Sequence, residues 1–116
     1  MTRTTPHDGT EVVQLEDAAD TLMADLSNHH SGRTASTILS GTVMRSTLIA
    51  LAEGSELAEH DSPAAATLQV IRGKATLRSG DREWPLTAGQ MMPIPPTRHS
   101  LHAVSDTAVL LTVALH

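Results

Sequence analysis

The residues of this chain best suited to chemistry are its histidines. There are seven in 116 residues, with no cysteine, tyrosine or phenylalanine and a single tryptophan, Trp84. Imidazole ligates metals and moves protons near neutral pH, so what matters is which histidines the spacing lets act together. His29 and His30 are adjacent, and adjacent side chains diverge on a helix or a strand; with Ser31-Gly32-Arg33 they read as solvated loop. His60 ends the run Glu56-Leu57-Ala58-Glu59-His60, a short strand that sets Leu57 on one face and Glu56, Ala58 and His60 on the other. His99 and His102 lie three apart, so on an extended strand they face opposite sides unless a bulge intervenes.

The elements that must position these side chains are strands. Between Gly54 and His99, turn residues at Ser62-Pro63, Gly73, Ser79-Gly80-Asp81, Gly89 and Pro95-Pro96 recur at the interval of an all-β meander. Lys74, Thr76 and Arg78 alternate with Ala75 and Leu77, which predicts a strand with one wet face. Strands are expected on either side of Gly41, and Ala108 to Leu115 reads as an apolar strand that closes the sheet. Ahead of them, residues 1–11 read as a polar arm, with a short strand at Val12-Val13. Ala18, Ala19, Leu22, Met23 and Leu26 fall on one face of a helix that Asp17 would cap and Ser27-Asn28 would end. That helix would pack outside the barrel or on a partner subunit.

Two stretches carry a resemblance to a known family. Gly54, His60 and Gly73 fall in register with the first motif of the cupins, and Gly89, Pro95 and the following His99 with the second. The resemblance spans roughly residues 34–114 and implies an all-β, cupin-type jelly-roll barrel over residues 34–116, with an arm and helix over 1–33. It also implies a metal between facing strands, a divalent iron, manganese, zinc, nickel or copper ion, with His60 and His99 at two ligand positions. Ser62 and Ala66 stand where the family has its second histidine and its glutamate, and Thr97 replaces a glycine of the second motif. A third ligand would come from Gln69, Glu56 or His102. In many cupins the first strand pairs with a neighbouring subunit, so the resemblance implies a homodimer as well.

Composition narrows the function. A formal charge of −5, with eight Lys plus Arg and no basic stripe, argues against nucleic-acid partners and anionic membranes. No apolar run is long enough for a membrane span, the polar N-terminus does not read as a signal peptide, and the lack of cysteine suits the cytoplasm. With one aromatic residue, a pocket would be aliphatic and methionine-lined, drawing on Ser62, Gln69, Met92 and Arg98. Trp84 itself reads as a packing residue at the barrel end or at a dimer interface. The leading expectation is a small-molecule binding or sensing module with a partial metal site and no assignable catalytic residue. It competes with a metal-dependent enzyme of dioxygenase or isomerase type, and with an interaction protein whose barrel is filled by side chains. A ligand-sized cavity without tight metal marks the first, tight metal requiring both His60 and His99 the second, and a filled interior the third.

Overall fold

The computed structural model describes residues 11–60 and 65–115, with the side chains of residues 59 and 60 outside that description. Helix α1 (Leu15–Ala24) and a 3-10 turn (Leu26–Asn28) precede nine strands. They are β1 (Arg33–Ser40), β2 (Met44–Leu51), β3 (Glu56–His60), β4 (Ala66–Arg72), β5 (Lys74–Ser79), β6 (Arg82–Thr87), β7 (Met91–Pro93), β8 (His99–Ala103) and β9 (Thr107–Ala114). All pairings are antiparallel, in a five-stranded sheet ordered β1-β2-β9-β4-β7 and a four-stranded sheet ordered β3-β8-β5-β6.

The inner faces of the two sheets meet in an aliphatic core that includes Leu51, Leu68, Val70, Leu77, Leu101 and Val109. Alternation places these residues inward; burying one leucine contributes about 1.5–3 kcal/mol, so the core is enough to hold the sheets together without aromatic side chains. The outer faces differ. On the five-stranded sheet, Leu48, Ile71 and Ala108 pack against Ala19, Leu22 and Met23 of α1. A strand covered on both sides loses the apolar–polar alternation, which is why Leu48 to Leu51 and Ala108 to Leu111 are continuous apolar runs. β9 lies in the middle of its sheet, where it joins β2 to β4. Among the described residues no helix covers the outer face of the four-stranded sheet, and Lys74 and Arg78 are exposed there, as their alternation predicted.

The helix begins two residues earlier than its cap signal. Gln14 is the cap residue, without a side-chain cap bond, and Asp17 lies in the first turn, where a carboxylate favours the partly positive helix start. Val12 and Val13 are exposed and belong to no strand. Arg72, at the end of β4, holds the helix through Asp20 (Nε to Oδ1, 3.0 Å) and Glu16 (3.4 Å). Those two bonds, Asp20 first, push the Arg72 guanidinium pKa above its ordinary value. At the β5–β6 turn Gly80 has φ +61°, a conformation that side chains disfavour.

Candidate functional site

His99 opens β8 on the inner face and is 2% exposed. Its Nδ1 lies 2.9 Å from the Thr97 carbonyl oxygen, which can only accept, so Nδ1 donates to it. The ring shares an interior cavity of about 30 Å³ with Ile49, Leu57, Leu68, Leu77, Ile94, Leu101 and Leu111. That is room for a water molecule, far below the volume of an organic ligand. The Cα register sets His60 opposite His99, across a shift in pairing between Leu57 and His60.

The structure does not bring the proposed third ligands to His99. Leu57 packs on the barrel core, so the face that carries Glu56 and Ala58 is the outer one. His102 is on the outer face of β8 and meets Glu56 there, Nδ1 to Oε2 2.9 Å. Arg78 donates to its Nε2 at 3.3 Å, and Ser100 Oγ lies at the same distance. Arg78 is held in turn by Glu83 at 2.9 Å. Gln69 pairs with Leu110 in register and shares with it the helix side of the five-stranded sheet, while its neighbours Leu68 and Val70 face the core. Among the described residues no three His, Asp or Glu side chains come together. The described neighbours of the His99 ring are aliphatic, and the side chain of His60, its counterpart in register, lies outside the described residues.

Of the expected pocket residues, Met92 packs against the interior core, Ser62 lies outside the described residues, and Arg98 stands elsewhere. It lines a cleft of about 520 Å³ at the end of the barrel where β8 begins, together with Ser79, Gly80, Asp81, Arg82, Trp84, Pro95, Pro96 and Thr97. Register explains the arrangement. Leu77 pairs with Trp84 and Ser79 with Arg82, so Ser79, Arg82 and Trp84 continue the inward face of the hairpin beyond the point where the leucines stop. Trp84 touches the core as well as the cleft, and the Arg82 guanidinium carbon lies 4.7 Å from its ring centroid. The opposite wall is pinned: Ser79 Oγ bonds Thr97 Oγ1 and the Arg98 carbonyl at 2.9 Å, while His99 holds the Thr97 carbonyl from below. Thus the buried imidazole acts as a strut under the cleft. Arg82 and the cleft-facing role of Trp84 were missed by sequence reasoning, although their spacing to Leu86 carried the period-two signal.

No family model matches the sequence, and no curated protein matches it. Solved structures do. A cupin superfamily protein from Desulfitobacterium hafniense superposes with a TM-score of 0.69 at 12% identity, covering 76% of this chain and 82% of its own. A conserved protein of unknown function from Streptococcus pyogenes gives 0.68 at 21% identity, with 98% and 95% covered. A variant of salicylate 1,2-dioxygenase from Pseudoaminobacter salicylatoxidans gives 0.70 at 19%, with 88% of this chain but 33% of that one covered. At such identities the likeness is one of fold, and the chain has the jelly-roll fold of the cupins.

Proposed function

We propose that this chain is a small-molecule binding module that takes its ligand in the cleft at the barrel end, beneath which His99 braces the wall. What supports this reading is the contrast between a cleft of about 520 Å³ and an interior space of about 30 Å³ beside His99; small-molecule pockets run from roughly 300 to 1,000 Å³. Trp84 supplies the test. It is the only Phe, Trp or Tyr of the chain and lines the cleft, so its emission reports occupancy without background. A library of small organic molecules is expected to contain compounds that shift that emission saturably, with amide shifts confined to residues 79–84 and 95–98. A library silent by both measures would overturn the reading.

One observation favours the competing metal-dependent enzyme: His60 stands opposite His99 in register, two imidazole-bearing positions at one barrel end. A dioxygenase and the protein KdgF from Halomonas (TM-score 0.66, 15% identity) share this fold. On the binding-module reading, protein purified without chelator carries metal well below one ion per chain after incubation with iron, manganese, zinc, nickel or copper. Near-stoichiometric metal that vanishes in a His60→Ala, His99→Ala variant would establish the enzyme reading instead.

The module is proposed as a cytoplasmic homodimer. β1 forms the edge of the five-stranded sheet, and the exposed Leu39, Val43 and Met44 lie beside that edge. A monomeric mass by light scattering would dispose of the dimer. No helix of the described residues is long and apolar enough to cross a membrane.

A further inference from the structure

Resting on that reading of the cleft, we propose that it selects small organic monocarboxylates, with Arg82 as the recognising group. The arginines of this chain are unequally engaged. Arg72 is held by Asp20 and Glu16, and Arg78 by Glu83. Among the described residues Arg82 makes no ion pair; its contact is the face of Trp84. It also shares the inward face of β6 with Trp84, which aims it over the barrel end rather than out from the sheet.

Stacking on an indole fixes the plane of a guanidinium and leaves its N–H edge uncovered. That edge matches a planar carboxylate with two parallel hydrogen bonds, and the indole lowers the entropy lost on forming them. The rest of the cleft sets what the carboxylate is attached to. Pro95, Pro96 and the part of Trp84 not under Arg82 offer apolar walls for a compact hydrocarbon body. Arg98 and Asp81 also line the cleft, Asp81 bringing a negative charge to it. Asp81 therefore opposes a second anionic group, which favours a monoanion over a dicarboxylate or phosphate.

The test compares three probes that leave the tryptophan signal undisturbed: cyclohexanecarboxylate, cyclohexanecarboxamide and inorganic phosphate. Titrations follow Trp84 emission and the amide resonances of residues 79–84. The carboxylate is expected to bind about tenfold or more tightly than the amide, the worth of a charge-assisted pair, with phosphate weaker than the carboxylate. Arg82 is exposed, so Arg82→Gln should fold normally and lose the preference for carboxylate over amide. Equal affinity for carboxylate and amide, a preference that survives in Arg82→Gln, or phosphate binding as tightly as the carboxylate would each overturn the inference and leave the binding module standing. Silence from all three probes overturns the inference too; only silence from the wider library removes the module with it.

Discussion

His99 and His102 leave the same strand three residues apart and end in opposite surroundings. His99 is buried among leucines and isoleucines and holds one backbone carbonyl of the cleft wall. His102 lies on the uncovered outer face, within a polar set of Glu56, Arg78 and Ser100. The strand decides which face each takes, and the cover over that face decides what each can do. Inside the barrel the His99 imidazole braces a backbone carbonyl, while Glu56 and His102 sit on the other side of the sheet. The barrel end differs again, since there the inward face continues past the core and presents Arg82 and Trp84 to a cleft.

The contrast predicts a graded series of substitutions along β8. Leu101, between the two histidines and 3% exposed, belongs to the core that both sheets share. Leu101→Ala should cost about 2–5 kcal/mol of stability in denaturant unfolding followed by Trp84 emission. A loss under about 1 kcal/mol would mean that the interior is looser than its 30 Å³ cavity implies. His99→Leu keeps the interior apolar but strands the Thr97 carbonyl, for about 1–3 kcal/mol. Its signature is local: amide exchange should quicken over residues 95–98, and the response of Trp84 to cleft ligands should weaken. If stability falls while the cleft is unchanged, the strut role is wrong. His102→Gln, on the wet face, should move stability by less than about 1 kcal/mol and leave the cleft untouched.

Much of the fold was legible because alternation and turn residues are local signals. The β5–β6 hairpin, the wet face of β5, the opposite facing of His99 and His102, and the outward helix all follow from spacing within one segment. What could not be read depends on other segments. Which way Glu56 faces could not be read, because Leu57 and its neighbours do not say which face meets the core; only pairing with β8 does. Gln69 sits among residues buried on both faces, so its side of the sheet became known only with the helix in place. The central place of β9 was hidden for the same reason: its neighbours β2 and β4 and the helix over it come from other segments. At the barrel end, Arg82 and Trp84 had the right period, but the sequence holds no mark of where the leucine core runs out and a cleft begins.

The mildest expected effect comes from a third imidazole, His29, at the far end of the helix. Its Nε2 lies 2.8 Å from Asp25 Oδ2, and Asn28 donates to Asp25 Oδ1 at 2.7 Å. These bonds, Asn28 first, hold the Asp25 carboxyl below its ordinary pKa of 3.8. A carboxyl depressed in the folded state stabilises it fully above the unfolded pKa, and the contribution fades as pH falls through the folded value. Asp25→Asn should therefore lower Tm slightly at about pH 7, and the gap to the native chain should close as acid carries both proteins below the Asp25 titration. The group is as solvent-facing as His102, so the gap at neutral pH should also shrink in high salt. A gap that persisted unchanged into acid would show that Asp25 supports the helix end through packing rather than charge. The division between a bracing imidazole inside and solvated imidazole–carboxylate pairs outside would then hold for His102 but not for His29.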